Sequence, residues 1–556
     1  MVLKINYITN KLYKYLNKNS NTIKFLTIIL LIFLIPRIIS LGFDMANVDS
    51  QYWYPRIHNF PHKFLTQQYQ DTYQKYHPGV TLMILSGFAT TLFETVFEFV
   101  FGYSPRYIPT IFPYLHFTAK FPLVFVISVL ATYSTYLIRR ISNNKTLAYI
   151  FAVLLSLEPY FLGVSRYLHL TALATMFAFT SVIALVYYIL NYRKAKYSLI
   201  ISAILLGLGI LTKIDVLITG AFNALLFAGG LFLTLKNTQS IKNILVHIFK
   251  YGLLYFAIVI ITFYLFFPSM WVAPYWTIKE IITDGIKDTA FVNKGAESIT
   301  NIKEFYYFEV ILLRASPILI IFGITGLVFT IKEAFKSFKG KTSLNNEYVL
   351  SILMIFYIIL VTIILTIPSK TKDRYVISLF PSLILISSIG VYYLYRINKY
   401  IKYSLIIILI CFYSITIFRY HPYYSYYYDD LIGGPAGIKN LGLTVINRGE
   451  YYAKVADYIN KTDEFPEISN TILAGRFKFD TFRPYYLGTP YANPKLMPND
   501  ITADYILVET SHKHVKIPKD KCKLVKTFGT KPPFEFDALY LYKCQNLDNS
   551  YKDFNN

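Results

Sequence analysis

Long apolar runs separated by short polar turns set the rhythm of this chain. Among the clearest runs are Thr22–Leu41, Phe117–Ile138, Leu170–Leu190, Ile214–Leu235, Phe308–Ile331, Val349–Ile367 and Tyr403–Phe418. Each reaches or approaches the roughly 20 residues that cross a bilayer as a helix. The pattern therefore predicts an α-helical polytopic membrane protein. The polar turns are not alike. Lys and Arg gather in alternate ones: Arg139, Arg140 and Lys145; Arg193, Lys194 and Lys196; Lys332, Lys336, Lys339 and Lys341; Arg396, Lys399 and Lys402. That alternation is the charge signature of cytoplasmic loops.

One segment decides the topology. Val80–Gly102 is apolar enough to span, but a span there would put every later basic loop outside. Its interior Glu94 and Glu98, with Pro78 before it and Pro105 after it, favour an amphipathic helix lying along the outer surface. The spans are then Thr22–Leu41, about Tyr114–Ile138, and segments near 146–164, 169–191, 198–212, 214–235, 250–268, 308–331, 348–367, 375–395 and 402–419. That makes about eleven, with the N-terminus inside. The lysine-rich N-terminus precedes a full-length apolar run flanked by Pro36 and Arg37, which reads as an uncleaved first helix rather than a signal peptide. The expected organisation is a transmembrane module over 1–419, with outside loops at 42–113 and 269–307, and an extracytoplasmic α/β domain over 420–556. In that domain Tyr451–Ile459 reads as helix, and Thr471–Ala474, Tyr505–Glu509, Lys523–Phe528 and Leu539–Tyr542 as strands. Antiparallel pairing of the last two strands would bring Cys522 beside Cys544, and outside the membrane such a pair can form a disulfide. Cys411 sits inside a span and reads as packing.

Composition sharpens this picture. Apolar residues are 54% of the 556 and charged residues 16%, against about 25% charged in ordinary soluble chains. The net charge of +23 would suit a nucleic-acid binder, but its confinement to inner loops argues against one. The abundance of Ile, Lys, Asn and Tyr suggests a prokaryotic plasma-membrane protein.

Candidate chemistry falls on the outer side, where ionisable residues at helix ends are functional candidates by default. Asp49 follows the first helix, with Trp53 and Arg56 close behind. It reads either as a general base or as a loop acid capping a short helix; Asp44 is the rival acid. His77, before Pro78 and Gly79, reads as a substrate or phosphate contact or as a packed histidine. Arg166 and His169 lie in a short outside turn, where Arg166 breaks the charge rule: it has either an anionic partner or lipid headgroups. Lys213 either pairs with Asp215 or contacts substrate. Lys370, Lys372 and Arg374 precede a helix beginning near Tyr375 and read either as an anion site, since cations at a helix N-terminus add to its dipole, or as cations snorkelling to headgroups. The chain has no phosphate-binding loop, HExxH, CxxC or nucleophile elbow.

Taken in order, Asp49 with Trp53 and Arg56, HPGVT at His77–Thr81, SRYLH at Ser165–His169, GLGILTK ending at Lys213, FPSMWVAP at Phe267–Pro274 and KDRY at Lys372–Tyr375 resemble the GT-C membrane glycosyltransferases. The resemblance is to the branch of dolichyl-phosphate-mannose protein mannosyltransferases and aminoarabinose transferases, and covers most of the chain. It implies inverting transfer of a sugar from a polyprenyl-phosphate donor to a protein, glycan or lipid acceptor on the outer face. It also implies Asp49 as base, the Lys372–Arg374 loop as phosphate holder, Arg166 and His169 as cavity lining, and His77 near the donor. The chain departs from the family pattern in three places. Ser50 stands where a Glu is usual, Thr171 where an Asp is usual, and Val445–Glu450 where relatives read GWGEG. Members differ in whether they bind a divalent metal, and this sequence offers no convincing ligand set. A transporter or flippase for a lipid-linked or anionic solute is the alternative; it expects charges near the bilayer midplane rather than at one face.

Overall fold

A computed structural model of the protein describes residues 20–192, 194–290, 299–300, 302–340, 343–368, 371–462, 472–492, 496–498, 500–510 and 517–547. Arg193, Lys341 and Lys370 lie outside the described residues. So do the lysines before residue 20.

Among the described residues ten helices are long and apolar enough to cross a membrane, which makes the chain a multi-pass integral membrane protein. In chain order the helices of the bundle are α1 (Ser20–Ile38), α2 (Ser50–Leu65), α3 (Val80–Phe101), α4 (Phe112–Ser142), α5 (Lys145–Leu157), α6 (Pro159–Val164), α7 (Leu170–Leu190), α8 (Lys196–Thr212), α9 (Leu217–Leu235) and α10 (Ile241–Phe266). They continue with α11 (Pro268–Val272), α12 (Pro274–Ala290), α13 (Tyr306–Arg314), α14 (Pro317–Phe338), α15 (Asn346–Thr366), α16 (Phe380–Tyr395, after a 3₁₀ turn over Asp373–Leu379) and α17 (Lys399–Tyr420). The central helix is α7, buried along nearly its whole length, while α1, α10 and α17 lie at the periphery and turn apolar side chains outward. The close crossing of α14 and α16 is made by Gly326 and Gly390, where a β-carbon on either would run into the other helix's backbone. Small residues of this kind let helices approach where no hydrophobic effect drives them together.

Two expected spans differ in detail. The 146–164 segment breaks at Glu158 into α5 and α6, because Pro159 starts a new helix and cannot continue the old one. The expected span from 308 begins instead at Pro317. Arg314 ends α13, its guanidinium drawn into a buried polar cluster, and Ser316 caps α14 by accepting from the Leu319 amide at 3.2 Å.

The chain between α1 and α4 folds back on its starting point. Asp44, just after α1, accepts from Lys120 of α4 at 2.7 Å, and Ser86 of α3 donates to the Ala119 carbonyl at 2.6 Å. Both ends of the 43–111 segment therefore lie at one end of the bundle. Its buried Glu94 takes Arg106 at 2.6 Å and His58 of α2 at 3.4 Å, while Leu92, Val96 and Phe99 are exposed.

After Tyr420 the chain forms short helices α18 (Gly434–Asn440), α19 (Tyr452–Thr462) and α20 (Phe479–Phe482) and a five-stranded sheet. Its strands are β1 (Ile472–Arg476), β2 (Thr489–Tyr491), β3 (Ala503–Glu509), β4 (Cys522–Thr530) and β5 (Phe536–Leu547), in the order β2-β1-β3-β5-β4. β1 runs parallel to β2 and β3, and β5 runs antiparallel to β3 and β4. Cys522 and Cys544 stand opposite each other in the β4–β5 register and are joined by a disulfide. A belt of buried tyrosines (Tyr420, Tyr423, Tyr426, Tyr427, Tyr451 and Tyr452) seats this domain on the bundle.

Candidate active site

The site is assembled where α1, α4, α7, α8 and the turn before α16 end together under the C-terminal domain. Asp49 immediately precedes α2 but makes no capping bond with its side chain. It is ion-paired with Arg374 instead, across 325 positions of sequence. Burial works against the charged form of Asp49, but the positive fields of His169, Arg374 and Arg448 override it and hold the carboxyl below the usual range. The group is a carboxylate at neutral pH.

Arg374 leans on Asp49 from the turn over Asp373–Leu379, and the neighbouring Asp373 faces the other way. Asp373 is 5% exposed. It takes Arg314 at 2.8 Å, the Tyr160 hydroxyl at 3.2 Å and the guanidinium of Arg448. Arg448 comes from the C-terminal domain. Its backbone carbonyl accepts from the Val48 amide at 2.9 Å, one residue before Asp49, and its amide donates to the buried Glu450. Glu450 also takes Ser425 at 2.6 Å and Tyr167 at 3.3 Å. The line Asp49–Arg374, then Asp373 with Arg314 and Arg448, is thus one alternating chain of charges. Among the described residues the Nε atoms of Arg374 and Arg448 are buried without a hydrogen-bond partner, an arrangement that favours an added anion.

The remaining candidates divide. His169 is the N-cap of α7, its Nδ1 accepting from the Thr171 amide at 3.2 Å, and it meets the Trp53 ring edge-on. Arg56 stacks on the same Trp53, 4.7 Å from its centroid. His77 packs on Tyr76 in the strap that leads into α3. Lys213, at the C-cap of α8, pairs with Asp215 at 2.5 Å and lies 4.3 Å from the centroid of Tyr375. It stands at the edge of a small, mainly apolar cavity between α7, α9 and α15, walled by Ala174, Ala178, Ile218, Val361 and Leu365. Lys372 is exposed at the start of the 3₁₀ turn. Arg166 is placed differently from the cavity-lining role the family pattern implies. It is 2% exposed, paired with Asp44 at 2.9 Å, and donates to the Pro36 and Ile39 carbonyls at 3.0 and 2.9 Å. It therefore closes the end of α1. Asp44, the rival acid, is sealed between Arg166 and Lys120.

Asp373, Arg314, Arg448 and Glu450 escaped selection from the sequence. Asp373 sat inside the KDRY motif as a spacer between cations, and Arg314 lay inside an apolar run, where a lone charge was the available signal. Among the described residues no group of three His, Cys, Asp or Glu is placed to hold a metal ion. With Arg374 already on the Asp49 carboxylate, these residues do not fit a divalent cation.

The fold and site define a multi-pass membrane protein with a charged centre at one end of its bundle, roofed by a small α/β domain. No family model and no curated protein matches the chain by sequence. Among solved structures it is similar to ArnT from Cupriavidus metallidurans bound to undecaprenyl phosphate, at 10% identity over 94% of this chain and 98% of that one, with a TM-score of 0.44. The same protein in the apo state aligns at 11% identity over 95% and 98%, with a TM-score of 0.43. The archaeal oligosaccharyltransferase AglB from Archaeoglobus fulgidus, in complex with an inhibitory peptide and a dolichol-phosphate, aligns at 12% identity over 88% of this chain and 70% of that one, with a TM-score of 0.40. At that level of superposition none of them carries an argument about this chain.

Proposed function

We propose that the protein is a GT-C-type membrane glycosyltransferase that moves a sugar from a polyprenyl-phosphate donor to an acceptor hydroxyl on the outer face. The observation that carries this reading is the Asp49–Arg374 pair, a half-buried carboxylate held ionised by cations at one end of a helical bundle. The positive-inside charge pattern supports an outside location for that end.

In this reading the donor phosphate docks against Arg374, Lys372 and Lys213. The first isoprene units enter the apolar cavity beside Lys213. Once the phosphate has taken the Arg374 guanidinium, Asp49 is free to accept a proton. The acceptor oxygen attacks the anomeric carbon from the face opposite the phosphate, and its proton passes to Asp49. The bond between that carbon and the phosphate oxygen breaks, and the polyprenyl phosphate departs with the electron pair. Charge grows on the leaving phosphate, so cations fixed in a low-dielectric site lower the barrier. Arg314 and Arg448 hold Asp373, which in turn fixes the turn that carries Arg374.

The test is sugar release from a panel of synthetic polyprenyl-phosphate sugars by purified protein, beside Asp49→Asn. A base of this kind contributes about 10²–10⁴-fold, so turnover should fall by that factor while lipid-phosphate binding persists. Tight lipid-phosphate binding by wild type with no turnover of any donor would sink the transferase in favour of a transporter.

A further inference from the structure

We propose that the protein carries a second anion site, for the phosphate of a membrane-lipid headgroup, at the end of the bundle opposite Asp49. This site does not rest on the transferase reading.

The helix α4 connects the two ends. Its first turns hold Lys120 against Asp44 beside the candidate active site, and its last turn carries Arg139 and Arg140. At 31 residues it is roughly 45 Å long, so the two arginines lie a full bilayer core away from Asp49. Around them is an open cavity lined, among the described residues, by Thr22 of α1, Tyr136, Arg139 and Arg140 of α4, Asn143, Tyr187 of α7, and Asn191. The lining is cationic and rich in hydroxyl and amide groups, and it contains no carboxylate. Among the described residues neither arginine has an acid within ion-pair distance, and neither donates to a helix-end carbonyl. Arg140 touches only the Tyr187 hydroxyl, at 3.5 Å, and Arg139 lies 4.6 Å from the centroid of Phe25.

Two adjacent guanidinium groups without a counterion, ringed by neutral donors, suit a tetrahedral phosphate: the planar fork of each arginine matches two of its oxygens. The position decides the source. The cavity lies where helices α1, α4 and α7 leave the apolar layer, at the depth of headgroups, and basic pockets between helices on the cytoplasmic side take anionic lipid heads. The exposed basic turn at Lys399 and Lys402, by contrast, has each lysine lying over tyrosine rings and serves as a control.

The experiment titrates purified full-length protein in neutral detergent with dioctanoyl phosphatidylglycerol, in parallel with dioctanoyl phosphatidylcholine and with inorganic phosphate. Wild type should bind the phosphatidylglycerol in preference to the phosphatidylcholine. Arg139→Gln/Arg140→Gln should weaken that binding at least about tenfold, equal to about 1.4 kcal/mol, and Tyr187→Phe about threefold. Lys399→Gln/Lys402→Gln should leave it unchanged. The Tyr187 variant alters one hydroxyl, so it keeps the test open if the double arginine variant does not fold. Inorganic phosphate that binds at the same residues as tightly as the lipid would overturn the lipid source. Equal affinity in wild type, the arginine variant and the tyrosine variant would overturn the site itself.

Discussion

Arg374 does two things to Asp49, and they can be separated by pH. It pairs with the carboxylate and, together with His169 and Arg448, keeps its pKa below the usual range against the opposing effect of burial. Activity that needs ionised Asp49 is present above that depressed pKa and lost as pH falls through it. In Arg374→Gln the burial remains while the paired charge and its hydrogen bond are gone, so the pKa rises. The acid limb of the rate profile should move upward by about 1–3 pH units, the range an adjacent arginine imposes on an aspartate. Donor affinity should fall in the same variant. An unmoved acid limb would mean that the limb does not report Asp49. The sequence offered the two residues on different grounds: Asp49 as an acid just beyond the first helix, and Arg374 as a cation on the side where the charge rule does not place it. Arg166 met the same criterion and turned out to close a helix end, because backbone carbonyls at a helix C-terminus are as good a reason to keep a cation as a substrate phosphate is. Spacing does not distinguish those reasons; the carbonyls of Pro36 and Ile39 do.

The elements that carry the site are fixed by a few contacts that periodicity could not reveal. The apolar runs located the spanning helices well, since length and hydropathy alone define them. They failed at α13 and α14, where Arg314 interrupts an apolar stretch and pulls the chain out of one helix into the next. The charge rule made α3 an interfacial helix in the sequence; in the structure the Lys120–Asp44 pair ties the start of α4 to the chain just after α1. Gly79 is the hinge into α3. Its φ is +61°, and a β-carbon there would meet the Trp53 ring. Its amide also donates to the Thr212 carbonyl at 3.2 Å, tying the start of α3 to the end of α8 next to Lys213. Gly79→Ala therefore adds a left-handed backbone penalty to a steric one. The backbone part alone is about 1–3 kcal/mol. Thermal unfolding of the purified variant should move down accordingly, and turnover should fall because Trp53 supports both Arg56 and His169. A melting point equal to wild type would show that the 77–80 strap relaxes without cost.

At the scale of the molecule, the C-terminal domain is where sequence reasoning stopped: it could be a brace or a working part. Arg448 lies 75 positions from Asp373, in a segment that departs from the family pattern, so nothing local announced the pairing. The structure makes Arg448 a partner of Asp373 and places its backbone against Val48, next to Asp49. Breaking a buried pair leaves one charge uncompensated, which costs about 3–5 kcal/mol, so Arg448→Gln and Asp373→Asn should each lower stability sharply. A pure brace predicts only that. If Arg448 also holds the turn that presents Arg374, turnover of each folded variant should fall at least about tenfold, or about 1.4 kcal/mol of barrier, with the loss shared. The double variant should then be little worse than either single one, because the two residues act through one contact. Measuring kcat for the two single variants and the double, at a temperature where all three are folded, decides it. Losses that multiply would detach the domain from the reaction and leave it a roof. Losses that coincide would mean that the α/β domain supplies one side of the site, and that the membrane bundle alone is an incomplete enzyme.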